Sequence, residues 1–256
     1  MKPGQTLWTK EELLLTVNLY SKIRFGQMHA SNKDVRELAA IIGRSPSAVA
    51  RKLGNFASFD PKLQARGVKG LENVSKLDKQ IWQEYTNNWD ELFIESEQLL
   101  AQKKNTTIEA LNPTEQYEQD VLLGREELRP ILVRLNQTVF RKMVLSNFNY
   151  KCCITGIDQP ELLIASHILP WSEDAGNRLN PRNGLSLNAL HDKAFERGLI
   201  TISEDLKIKV SSILLNSSVP SICDNFIAFN GKNLIQPKKF SPEAAFLRRH
   251  NDKFKP

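Results

Sequence analysis

The sequence predicts an α+β chain in which an all-helical first half is followed by a second half of short strands and helices. Two observations carry this. From Trp8 to Gln102, apolar residues recur at helical spacing in segments that open on Ser, Thr or Asn. After Gln159 the pattern shifts to short β-prone runs, LLIAS, LITI and KIKV, separated by turn-forming residues. At 256 residues, 41% hydrophobic and 25% charged, the chain has the make-up of a folded protein of two modest domains. We assign residues 1–104 to the helical domain, 105–117 to a polar linker and 118–256 to the second domain, whose core spans 150–202.

The segment Trp8–Tyr20 places Leu13, Leu14, Val17 and Tyr20 on one helical face, with Thr9 as N-cap and Glu12 closing a capping box. In Ser31–Ile42, residues Val35, Leu38, Ala39 and Ile42 share a face, Ser31 or Asn32 caps, and Gly43 stops the helix. Ser45 then caps a third helix with Pro46 in its first turn, where a missing N–H costs nothing. Two short helices joined by a tight glycine turn make a helix-turn-helix pattern. The segment resembles the tri-helical Myb/SANT-like and helix-turn-helix families, in which a WT-x-x-E opening helix packs beneath the turn. That resemblance implies a recognition helix from Pro46 to about Gly54, with Arg44, Ser47, Arg51 and Lys52 meeting DNA. In a plain helical bundle the same residues are only solvated. Met1–Gly70 carries 12 Lys and Arg against 5 Asp and Glu, a balance that favours a polyanionic partner. The next loop turns at Asp60-Pro61 and offers Arg66 and Lys69 to phosphate or to solvent. Lys76–Gln102 is acidic and amphipathic, with Ile81, Trp82, Trp89, Leu92, Phe93 and Leu99 as a core-facing stripe.

A helical pattern resumes at Glu118 and should be interrupted at Arg129-Pro130. ILVRLNQTVFRKMVLSNF then sets Leu132, Leu135, Val139 and Met143, with Val144 or Leu145, at helical spacing. LLIAS is a strand with His167 at its end; a loop rich in Gly, Pro, Asn and charge follows, then the Asn183-Gly184 turn and a helix opening near His191. LITI and KIKV form a hairpin around Ser203-Glu204-Asp205, and FIAFNGKNLI a second one around Asn230-Gly231. SPEAAFLRRHNDKF closes the chain as a short helix capped by Ser241, with His250 in a packing or phosphate role.

No apolar run approaches the roughly 20 residues of a membrane span, and Met1–Lys10 lacks the apolar core of a signal peptide, so a cytosolic protein with no membrane partner is expected. Cys152, Cys153 and Cys223 are too few and too unevenly spaced for a disulfide framework, and no CxxC pair is present for structural zinc.

Hydrolysis of a phosphodiester needs a base to take a proton from water and a cation to neutralise the developing charge. An imidazole titrates near neutrality and suits the first task; a second on a facing helix can bind the cation. His at a strand end, Asn in a turn and His on a helix provide that order. Around them the residues form a longer pattern: Arg134, Gln137, Phe140 and Arg141; then Cys152, Ile154, Thr155 and Gly156; then ASHILPW at 165–171, NGLSL at 183–187 and LHDKAFERGLIT at 190–201.

This pattern resembles the HNH endonuclease superfamily, closest to its restriction-type branch. The resemblance implies a ββα-metal nuclease domain with extra hairpins, and a role in restricting foreign DNA. It implies His167 as general base, Asn183 as the residue that orients it across the loop, and His191 as ligand to a divalent metal, Mg²⁺ or Mn²⁺ first, with Ni²⁺ or Zn²⁺ as alternatives. Many members place Asp just before the base as a second ligand, where this chain has Ser166. Asp192 offers a carboxylate, although one position along a helix it points about 100° from His191. Arg178, Arg182, Lys193 and Arg197 are placed to hold DNA phosphates or to be solvated, and Arg141 and Gln137 to buttress the site or touch substrate. The expected partner is double-stranded DNA, and a homodimer would supply two cuts. A DNA-binding regulator that keeps the second domain only as a scaffold is the rival reading, sustained by Ser166.

Overall fold

The computed structural model describes residues 6–68, 74–113 and 129–256 and divides into two compact units, Met1–Val139 and Phe140–Pro256. Lys69 and the helical pattern expected from Glu118 lie outside the described residues.

The first unit is helical throughout its described length. Helix α1 (Lys10–Lys22) opens on the expected capping box, with Thr9 Oγ1 accepting from Glu12 N–H and Glu12 Oε2 from Thr9 N–H. Helix α2 (Lys33–Ile41) is capped by Asn32, and α3 (Pro46–Phe59) by Ser45. The last runs past Gly54, because Leu53, Phe56 and Ala57 continue its buried face. After α4 (Pro61–Gln64), the acidic stretch is two helices, α5 (Lys76–Asn87) and α6 (Trp89–Lys103), broken where Asn88 leaves helical geometry at φ −133°, ψ 56°. The break lets Trp82 and Trp89 both point inward; Trp82 stacks on Phe56 at 6.2 Å and meets Tyr20 edge-on at 5.5 Å. Leu92 and Leu99 stay half-buried. A short α7 (Ile108–Leu111) follows.

Two residues expected to meet DNA are used inside this unit. Arg44 donates through all three guanidinium nitrogens: to both Glu12 carboxylate oxygens at 2.9 and 2.8 Å, to Thr6, and to the Leu7 carbonyl. Burial pushes the Glu12 carboxyl up, but Arg44 and the Thr9 N–H hold it below its ordinary value. Lys52 pairs at 2.7 and 2.8 Å with Asp78, which is fully buried. The reason is geometric: α1 and α5 pack beside α3, and their acids reach Arg44, just ahead of that helix, and Lys52, on it, before solvent does. Ser47 and Arg51 are exposed.

The second unit begins within α8 (Arg129–Asn147). Strands β1 (Leu163–His167) and β2 (Gly184–Asn188) pair antiparallel, with His167 opposite Gly184 and Ser166 opposite Leu185. Helix α9 (Ala189–Glu196) follows directly, capped by Asn188. The hairpin is covered on both faces. On one, a Cβ at Gly184 would lie 2.3 Å from Val144 and 2.8 Å from Phe140, so only glycine lets α8 approach this closely. On the other lies α9, whose Asp192 accepts a hydrogen bond from Ser166.

A second hairpin joins β3 (Ile200–Ile202) and β4 (Ile208–Val210) as expected. After α10 (Ser212–Leu215) and α11 (Pro220–Asn225), however, FIAFNGKNLI is not a hairpin. Ile227–Phe229 is a 3-10 turn, and the residues after Gly231 pair with β4 instead, through Ile208 N–H to the Lys232 carbonyl and Gly231 N–H to the Ile208 carbonyl. The open edge of β4 takes the hydrogen bonds that the Asn-Gly turn was expected to direct back onto FIAF. The last helix, α12 (Ala244–Asn251), starts after Glu243 without a side-chain cap rather than at Ser241. Among the described residues, no helix is long and apolar enough to cross a membrane.

Candidate active site on the hairpin and its helix

His167 closes β1 with its ring held on three sides. It stacks on Phe140 with centroids 3.7 Å apart and planes 8° from parallel, and meets Trp171 edge-on at 5.7 Å. Its Nε2 lies 2.9 Å from the Arg178 carbonyl. A carbonyl only accepts, so Nε2 carries the proton and Nδ1 keeps a lone pair. Burial pushes the imidazole pKa down, against a smaller upward pull from that carbonyl, so the ring is neutral at neutral pH.

Asn183 does not touch His167. Its Oδ1 accepts from Leu169 N–H at 2.8 Å, while Nδ2 donates to the Leu169 and Asn177 carbonyls at 3.2 and 3.3 Å. It therefore pins both ends of the loop between the strands, one residue short of the Arg178 carbonyl that holds His167. Asn177 is tied in turn to Asp174 and Asn180.

His191 is buried. Its Nε2 lies 2.6 Å from the Asn225 carbonyl, and its Nδ1 2.9 Å from Asn188 Oδ1, so both nitrogens face oxygen acceptors. Phe226 and Phe229 pack around it. Asp192, one residue on, is the group that α9 turns to β1, where Ser166 donates to it. Burial raises the Asp192 carboxyl above its ordinary value, with Glu196 adding to the rise and Ser166 and Lys193 opposing it. A carboxylate held in that state gains from a cation beside it.

The structure thus brings Ser166 and Asp192 together and leaves His191 out. A hydroxyl and a carboxylate are hard oxygen donors, which fit Mg²⁺ or Mn²⁺ with water and substrate oxygens completing the shell. Among the described residues, no group of three His, Cys, Asp or Glu is placed to hold a metal, and Cys152 and Cys153 are buried free thiols beside β2.

The expected phosphate contacts are dispersed. The Arg178 guanidinium lies over Trp171, whose edge meets His167, at 5.1 Å, and Nε donates to the Trp171 carbonyl. Lys193 pairs with Glu196 at 2.7 Å on the exposed side of α9, where Arg197 is also exposed, and Arg182 is half-buried in the loop before β2. Arg141 buttresses: it donates to the Leu163 and Pro160 carbonyls at 2.5 and 2.9 Å and fixes the start of β1. Asn188 as α9 cap carried a sequence signal, a polar residue just ahead of the helix; the Asn225 carbonyl, 34 residues from His191, carried none.

The strand–loop–strand–helix of β1, β2 and α9, with His167 at the strand end, is a ββα arrangement. Residues 152–203 match the family model described as HNH endonuclease, and this stretch of the chain belongs to the HNH superfamily. No curated protein matches the chain.

Proposed function

We propose that the chain is a divalent-metal-dependent endonuclease that hydrolyses phosphodiester bonds in double-stranded DNA, with its active site at the end of β1. The observation that supports this most is the bond from His167 Nε2 to the Arg178 carbonyl. A neutral imidazole locked with its Nδ1 lone pair available is a competent general base for a water molecule. Phe140 and Trp171 fix its plane, and Asn183 holds the loop that supplies the carbonyl.

Asp192 and Ser166 would hold the cation, Mg²⁺ or Mn²⁺ rather than Ni²⁺ or Zn²⁺, since the latter favour imidazole or thiolate donors. Once bound, such a cation neutralises charge developing on the phosphate and the leaving oxygen. His191 would join it only by releasing the Asn225 carbonyl. Ser166 and His167 are consecutive and point to opposite faces of the hairpin, so substrate would lie across the strand end, where both faces are reachable. Arg178, Arg182, Lys193 and Arg197 would hold neighbouring phosphates, and Ser47 and Arg51 would contribute contacts from the helical unit. Restriction of foreign DNA in the cytosol is the setting that the restriction-type resemblance favours, with a homodimer cutting both strands. A purely DNA-binding regulator is less well supported, because Arg44 and Lys52 are consumed by internal ion pairs.

The test is incubation of supercoiled plasmid with the protein and Mg²⁺, Mn²⁺ or Ni²⁺, beside His167→Ala and a chelator. Nicked or linear DNA should form with the hard cations and fall about 10²–10⁴-fold in His167→Ala. Identical behaviour of the two proteins with every metal sinks the reading.

A further inference from the structure

Helix α12 touches both halves of the site. On one side, His250 lies flat on Phe195, 3.7 Å between centroids and 2° between planes, and its Nε2 donates to the Phe195 carbonyl at 3.1 Å, closing the last turn of α9. Beyond α12 the chain passes so near Gly198, at φ +66°, that a Cβ there would lie 2.2 Å from the Lys253 carbonyl oxygen. On the other side, Lys253 Nζ pairs with Glu173 at 2.7 Å, and Arg249 approaches the second carboxylate oxygen at 4.0 Å.

Glu173 sits in the inter-strand loop. It follows Trp171, whose edge meets His167, and precedes Arg178, whose carbonyl holds His167. The loop's ties through Asn177 and Asn183 are local, whereas the Glu173 pair reaches 80 residues along the chain. Helix α12 together with the turn after it therefore meets both α9, which carries Asp192, and the loop whose Arg178 carbonyl holds His167.

We infer that Glu173 is a positioning residue: its pairing with Lys253 and Arg249 fixes the loop 171–178 against α12 and keeps the Arg178 carbonyl where His167 needs it. The inference rests on the nuclease reading above. A different role is open to the same cations. If Arg249 and Lys253 bind substrate phosphate and Glu173 is only their counter-ion, removing its charge should tighten DNA binding.

Hydrogen–deuterium exchange and steady-state cleavage of the whole protein decide between them, using Glu173→Gln and the swap Glu173→Lys/Lys253→Glu. Exposed pairs are individually weak, so amides of 172–178 in Glu173→Gln should exchange about two- to fivefold faster. The value of kcat should fall by a similar factor with KM unchanged, and the swap should recover both. Unchanged exchange in Glu173→Gln overturns the inference whether or not the protein cleaves DNA, while a wild type inactive with every metal counts against the nuclease reading instead. A lower KM at unchanged kcat also overturns it, in favour of phosphate-binding cations. So does a swap that restores neither readout.

Discussion

The two units put polar side chains to opposite uses. In the helical unit they are matched to each other: Arg44 to Glu12, Lys52 to Asp78, and Lys22 to a buried Glu97 that also accepts from Asn18 and Asn112. Burial pushes the Glu97 carboxyl up, yet Lys22 and the two amides hold it below its ordinary value. At the end of β1 the backbone does the holding. One nitrogen of His167 goes to a carbonyl and the other is left, and Asp192 is held by a hydroxyl rather than a cation. A full set of partners makes a framework, and an incomplete set leaves groups that a site, as proposed for His167 and Asp192, can use. His191 belongs with the framework by this criterion, although it lies in the same motif as His167.

That contrast breaks most visibly if the two α9 residues are exchanged in role. Asp192→Ala should lower plasmid cleavage by about 10³-fold, several kcal/mol of barrier, with the melting temperature nearly unchanged. His191→Gln should cost about 1–3 kcal/mol of stability, through lost buried hydrogen bonds, and much less activity. A His191 variant that melts normally but has lost cleavage would assign it to the site after all.

The framework side of the comparison is tested by Asp78→Ala, which strands Lys52 between helices. Breaking a buried pair from one side costs about 3–5 kcal/mol, and partial exposure of Lys52 puts the expectation near the lower end. Denaturant melts of the whole chain should show the loss in the transition of the helical unit.

Much of this was legible in the sequence, and the failures share a cause. The capping box of Thr9 and Glu12, the Ser45 and Asn32 caps and the β1–loop–β2–α9 order are local, and each was readable because its partners lie within a few residues. What escaped depends on long-range partners. Arg44 meets Glu12 across 32 residues, Lys52 meets Asp78 across 26 and His191 meets Asn225 across 34. The motif marked Phe140 as part of the pattern without revealing that it stacks on His167. The Asn230-Gly231 turn is real in its backbone, with Gly231 at φ +75°, but a turn does not choose its strand partners when a sheet edge is open nearby.

His250 offers a smaller test of how firmly α12 is tied. Burial lowers its pKa to about 4 from an ordinary 6.5. Between those values the unfolded chain binds a proton that the folded chain refuses, so stability falls as pH drops through this window. The loss from pH 7 to pH 5 should be about 2 kcal/mol, and His250→Gln should flatten that part of the profile. Denaturant midpoints at the two pH values measure it, and a profile unchanged in the variant would place the acid sensitivity elsewhere.

The smallest expected effect concerns the two arginines that the sequence treats alike. Arg51 is exposed on α3, whereas Arg44 is enclosed by Glu12, Thr6, Leu7 and the ring of Trp8 at 4.9 Å. If α3 meets DNA, Arg51→Ala should weaken binding a few-fold and reduce the slope of log affinity against log salt by about 0.9, one phosphate contact. Arg44→Ala should leave the slope alone and lower the melting temperature, because it exposes Glu12 and frees the chain before α1. Binding titrations at several salt concentrations, paired with thermal melts, separate the two. A slope that responds to Arg44 and not to Arg51 would mean that α3 turns a different face to DNA, and that the Glu12 pair opens when it does.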